Sequence, residues 1–152
     1  MIEHPWLIPL APLLAFAING LLGPRYLKKA TGVIGSAGIL AAFLLTVWLW
    51  AEGEYGEATL FEWLASGSLA INIGFLVDEL TVVMLLVVTG VSFLVHVYSI
   101  GYMAHDGSFA RFFAWLPLFV FSMVMLVMAN NFLSLFVFWE LVGVCSYLLI
   151  GF

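Results

Sequence analysis

Five long apolar runs, at residues 6–23, 30–51, 80–104, 112–129 and 132–152, account for most of the chain. Each is close to the roughly 20 residues that an α-helix needs to cross the hydrocarbon core of a bilayer. Of the thirteen charged residues, twelve lie at the N-terminus or between the runs, and only Glu140 lies inside one. In lipid, backbone polar groups must be satisfied within their own segment or by closure into a barrel. A barrel would be built from short alternating strands, which runs this long and continuous do not resemble. Composition agrees: 65% of residues are hydrophobic and 9% charged, against about 45–50% and 25% in soluble domains. These observations predict an all-α membrane protein with at least five transmembrane helices, solvated by the lipid bilayer.

The four basic and nine acidic residues give a net charge of −5, which excludes the basic footprint that nucleic-acid binding requires. Cys145 is the single cysteine, so no intrachain disulfide can form. The first run has no basic segment before it and no small-residue cleavage site after it, so it is expected to stay in the protein. Pro9, Pro12 and Pro117 fall inside runs, where each either bends its helix or sits in a first turn.

Basic residues are retained on the inner side of membranes. Arg25, Lys28 and Lys29 therefore place the first connection inside, and Arg111 does the same for the third. Residues 52–79 carry six acidic side chains and no basic one, so this connection and the N-terminus are expected outside. Within it, Leu69, Ile71, Ile73, Phe75 and Val77 alternate with Ala70, Asn72, Gly74 and Leu76, the period of a strand with one buried face. Ser66-Gly67-Ser68 precedes this stretch as a turn, and the pair predicts a short β-hairpin in the external loop between helices 2 and 3. Only Asn130 and Asn131 separate the last two runs, so helices 4 and 5 are expected to be antiparallel neighbours.

Glu140 is the first candidate for chemistry. It lies eight residues into its run, roughly 12 Å along a helix and so close to the bilayer midplane. Placing a charge there costs about 2.5–3.5 kcal/mol on insertion scales. Such a carboxylate is expected to face the bundle interior, pair with a base or take up a proton, as a proton relay would. The alternative is a protonated side chain bonding a neighbouring helix. Gly143, Val144 and Tyr147 share its helix face; the glycine suits close helix approach, and the Tyr147 hydroxyl can bond a water or the carboxylate. His96, near the inner third of the third run, is a second candidate for proton transfer or a hydrogen-bonded packing residue. His4 and His105 fall in connections.

There is no glycine-rich phosphate loop, no Cys-x-x-Cys, no His-x-x-x-His, and no serine or cysteine paired with a histidine. No cofactor-binding, metal or small-molecule substrate site is therefore expected in this chain.

The stretch Phe138-Trp139-Glu140-Leu141-Val142-Gly143-Val144-Cys145-Ser146-Tyr147-Leu148-Leu149-Ile150-Gly151-Phe152 resembles the fifth-helix signature of the antiporter-like chain 5, or subunit L, of proton-pumping NADH:quinone oxidoreductase (respiratory complex I). Val95 to Met103, Arg111 to Ala114, Ser122 to Val127 and the stretch from Ile71 to Leu80 are similar to the same family in the same order. The resemblance is weakest before Leu60. It implies the N-terminal transmembrane helices of an antiporter-like subunit, residues 1–152, in a chain truncated after 152 inside its fifth helix.

The resemblance further implies a translocase subunit of a respiratory-chain enzyme, with no redox chemistry of its own. Glu140 would be a proton-channel residue partnered by a lysine on a later helix. NADH, FMN, iron–sulfur clusters and quinone would belong to partner subunits, and the other membrane subunits would be its neighbours. The setting would be the cell inner (cytoplasmic) membrane or an energy-transducing organelle membrane. Two residues depart from the pattern: Leu141 stands where glycine is usual, and Asn130 where aspartate is common. These leave open multisubunit sodium/proton antiporters and the membrane subunits of inorganic-carbon transport complexes.

Overall fold

The computed structural model describes residues 4–151. Residues 1–3 and Phe152, to which the fifth run extends, lie outside the described residues, as does the side chain of Leu69 in the alternating series. Five helices are long and apolar enough to cross a membrane: α1 (Leu7–Leu22), α2 (Ala30–Glu52), α3 (Glu79–Tyr102), α4 (Phe109–Met128) and α5 (Phe132–Ile150). Two strands, β1 (Gly56–Ser66) and β2 (Leu69–Val77), form an antiparallel hairpin between α2 and α3.

The connections follow from local chemistry. At its C-terminus α1 widens into one π turn, Gly23–Leu27, which contains Pro24 and closes with the Lys28 N–H donating to the Gly23 carbonyl at 2.7 Å. Proline offers no N–H, so the regular ladder fails there. Lys28 then adopts a φ of 46°, and α2 begins two residues later. At the other end of α2, Gly53 takes the left-handed conformation (φ 67°) and its N–H bonds the Leu49 carbonyl, a common helix stop. Asp78 caps α3 by accepting from the Thr81 N–H at 2.8 Å, and Asn131 caps α5 through the Ser134 N–H at 2.9 Å.

The hairpin turns on Gly67 and Ser68, with Ser66 paired to Leu69 and Gly67 at a φ of 58°. Its strands are longer than the single alternating stretch predicts, and β1 carries register shifts between Thr59 and Phe61 and between Glu62 and Leu64. Phe75 and Val77 are fully buried, and Phe75 forms a single bridge with Ala129 at the α4–α5 break. The buried face of β2 is thus its base, which closes one end of the helix bundle.

Helices α1 to α4 pack around a core that includes Ile8, Ile39, Leu49, Leu85, Val124 and Met128. Small residues set the α1–α2 distance. A Cβ added to Gly38 would lie 2.7 Å from the Ala15 Cβ and 3.2 Å from the Ala11 carbonyl oxygen, the close approach that glycine and alanine permit in membrane helices. The fifth helix stands at the edge and packs on α4, through the perpendicular rings of Phe121 and Phe138 and the buried pair Ser122 and Cys145.

Charges separate along the bundle. The Lys29 ammonium donates to the Ala104 carbonyl, which joins the α1–α2 connection to the α3–α4 connection at one end. Arg111, which sequence places before the fourth run, lies in the first turn of α4 at this same end, its guanidinium 5.2 Å from the Trp115 ring. The hairpin, with its acidic residues, occupies the other end.

Candidate functional site

Glu140 lies midway along α5, nine residues beyond its Asn131 cap, or about 13 Å at the usual helical rise. Within this chain its side chain is not covered by the other four helices. On α5, Phe138 and Cys145 meet α4, and Glu140 is exposed on the opposite side with Phe136, Gly143, Val144 and Tyr147. The reason is steric: Ser122 and Cys145 allow α5 close to α4, their Oγ and Sγ 3.8 Å apart, and Phe138 fills the space beside Phe121. Phe138 therefore makes the apolar contact between the two helices.

Gly143 has nothing within 4 Å of the position its Cβ would take, so its notch beside Glu140 is open. Tyr147 is 78% exposed and sits two turns from the carboxylate, about 10 Å along the axis. It lines a cleft with Arg111, Trp115 and Leu148 toward the basic end. A bond between Tyr147 and Glu140 would need an intervening water or another group.

His96 is on the far side of α4 from α5, fully buried within the first four helices. Its Nδ1 lies 2.7 Å from the Ser92 carbonyl oxygen, and its ring is tilted against Phe113 with centroids 6.1 Å apart. Nε2 has no partner among the described residues. The structure thus separates the two predicted proton-handling residues, one in the core and one on an open face.

Sequence reading missed Asn19. This amide is fully buried in α1 and donates through Nδ2 to the carbonyls of Phe113 (2.8 Å) and Thr31 (3.0 Å). Pro117, four residues beyond Phe113, lacks the N–H that would otherwise take the Phe113 carbonyl. Asn19 supplies a donor in its place and ties α1 to α4. The signal in the sequence was an amide in an apolar run together with an internal proline in another. His4 sits edge-on to Trp6 with centroids 6.0 Å apart, and His105 is exposed in the α3–α4 connection. No group of three or more His, Cys, Asp or Glu side chains gathers as a metal site would require among the described residues.

Comparison with known proteins bears on the helix that carries Glu140 and on those before it. Residues 63–113 match the family model for the N-terminus of chain 5 of NADH-ubiquinone oxidoreductase (complex I). The chain is 42% identical to NADH-quinone oxidoreductase subunit L of Neisseria meningitidis serogroup B, over 96% of this chain and 23% of that protein. It is 40% identical to the chloroplastic NAD(P)H-quinone oxidoreductase subunit 5 of Chara vulgaris, over 99% of this chain and 24% of that one. This chain belongs with the N-terminal region of the chain 5 and subunit L family. Identity is also 40% with NAD(P)H-quinone oxidoreductase chain 5 of a Synechocystis strain, over 97% of this chain. The chain spans about a quarter of the length of these curated relatives.

Proposed function

We propose that these helices are part of a proton-translocating membrane subunit of an NADH:quinone oxidoreductase, and that Glu140 is a relay carboxylate driven by quinone reduction elsewhere in the complex. The observation that carries this reading is one ionisable carboxylate, midway along a transmembrane helix, on a face that the chain's other four helices leave uncovered. An intramembrane carboxylate in contact with lipid is costly, so its face is reserved for further polypeptide, water or both. The relatives, about four times longer than this chain, have the length to supply it.

In this reading Glu140 accepts a proton when a nearby cation withdraws and releases it when the cation returns. Burial favours the neutral carboxyl and an adjacent positive charge the ionised one. Tyr147 stands on the same face toward the basic end, where a water chain can link it to the carboxylate. In this reading NADH, FMN, iron–sulfur clusters and quinone belong to partner subunits, and the part of this chain is proton transfer.

The test replaces Glu140 by glutamine in the full-length subunit, within its complex in sealed vesicles. Proton uptake per NADH oxidised is expected to fall severalfold while the complex assembles and still transfers electrons to an artificial acceptor. Unchanged pumping would reduce Glu140 to a packing residue. Purification of the native complex without flavin or iron–sulfur subunits would favour a sodium/proton antiporter or an inorganic-carbon transport complex instead.

A further inference from the structure

At the basic end, between α1, the π turn and the start of α4, lies an open cavity of about 680 Å³. Lys28, Lys29, Asp106 and Arg111 stand in its wall, and so do Gly20 and the fully buried Asn19. Behind Asn19 is Gly35 of α2, where the molecule brings two polar side chains to one point. The position that a Gly35 Cβ would occupy lies 3.4 Å from Asn19 Nδ2 and 3.5 Å from His96 Cδ2, the carbon next to Nε2.

The hydrogen-bonding roles of both side chains are fixed by their other contacts. Asn19 commits its amide nitrogen to two carbonyls, so Oδ1 can only accept. His96 Nδ1 faces a carbonyl and must carry the hydrogen, which leaves Nε2 of the neutral ring as an acceptor. Neither Asn19 Oδ1 nor His96 Nε2 has a partner among the described residues, and the same is true of the buried Ser36 Oγ, one residue along α2. Buried polar atoms are almost always satisfied. Two unpartnered acceptors, on side chains that both reach Gly35, call for a molecule with two donors, and water is the smallest.

We propose that the cavity is an aqueous inlet from the basic face, and that its inner end binds water between Asn19 and His96, with the Ser36 hydroxyl as a third partner. The inlet makes His96 exchangeable with the basic-side solvent by a route separate from the Glu140 face. Asn19 is its gatepost, since it belongs both to the cavity wall and to the His96 surroundings.

The test uses the full-length subunit in its native membrane, with Cys145→Ser to remove the native thiol. Gly20→Cys lies in the cavity wall, and Ile18→Cys serves as the reference on the outward, lipid-facing side of α1. A thiol reacts as its thiolate, which water supports and lipid does not. A small, membrane-impermeant cationic methanethiosulfonate is expected to modify Gly20→Cys from the basic face alone, on the order of 100-fold faster than Ile18→Cys. Equal rates, or modification from the opposite face, would overturn the inlet.

Hydroxyl-radical footprinting then reports the inner water. His96 is expected to be oxidised despite its burial, and Gly35→Ala, whose methyl makes only ordinary contacts, is expected to cut that oxidation severalfold. Ser36→Ala provides a second, smaller perturbation in the same direction. Protection of His96 in the parent protein, or oxidation indifferent to both substitutions, would overturn the bound water. Glu140→Gln is expected to leave both readouts unchanged, so failure here is distinguishable from failure of the Glu140 relay.

Discussion

The Asn131 side-chain amide donates to the backbone carbonyl of Asn72, 59 residues earlier, at 2.7 Å. Through its other atom the same side chain accepts from the Ser134 N–H and starts α5. One residue therefore sets both where the fifth helix begins and how the hairpin sits on it. Asn130 assists: its Oδ1 accepts from Asn131 at 3.0 Å, and its amide nitrogen would stand 2.7 Å from a Cβ on Gly74.

Asn131→Ala should lower the stability of the full-length subunit by about 1–2 kcal/mol, since it removes a helix cap and one tie to the hairpin. Asn131→Asp keeps the capping oxygen and loses the donor to Asn72, so it should fall between the two. Thermal unfolding in detergent gives the order. Equal loss in both variants would mean that the amide donor, bonded to Asn72 and Asn130, carries the effect and the cap none.

Gly38→Ala places a methyl where the Ala15 Cβ and the Ala11 carbonyl already stand. Overpacking of this kind destabilises by about 1–3 kcal/mol, and α1 must move away from α2 to accept it. Gly101→Ala in α3 is the matched control, because nothing lies within 4 Å of its added carbon. A Gly38→Ala protein that melts with the control would refute the close α1–α2 contact.

Asp78 is held below the ordinary carboxylate range, chiefly by the Thr81 backbone N–H and then by the Thr81 side chain. A carboxyl whose folded pKa is depressed stabilises the fold above its unfolded value, about 4, and loses that contribution as pH falls through the folded value. Acid should therefore loosen the N-terminus of α3 first at this cap. The protection of the amides of residues 79–82, taken relative to the intrinsic exchange rate at each pH, is expected to fall below pH 4 in the parent, whereas Asp78→Asn, which retains the cap without the charge, should show no such step.

Charge segregation made the five helices readable, because twelve charges mark the ends of runs that lipid requires to be apolar. The same rule misplaced one boundary: Arg111 reads as a connection, yet α4 begins at Phe109, since an arginine in a first turn can bury its stem and keep its head at the surface. β2 was readable from its alternation, whereas β1 was not, because its two register shifts break the period of two. The direction of Glu140 was hidden for another reason. α5 is apolar nearly all round, so its pattern does not say which face meets α4, and the small pair Ser122 and Cys145 decides it. Asn19 depends on a carbonyl that a proline in a different helix sets free, a relation that no local pattern carries.

The final prediction concerns sidedness. Lys29 joins the first and third connections through Ala104, and the hairpin closes the opposite end of the bundle, so the two ends must face different compartments if the helices span. Retention of basic residues inside then predicts Lys28 and Asp106 on the inner side and the hairpin turn outside. In the Cys145→Ser background, an impermeant maleimide is expected to label Lys28→Cys and Asp106→Cys only after the inner face is opened, and Ser68→Cys from the outer face of intact cells or vesicles. Labelling of Lys28→Cys from outside, with Ser68→Cys protected, would invert the orientation. Labelling of both from one face would instead contradict the odd number of crossings between them and, with it, the assignment of α2 as a membrane span.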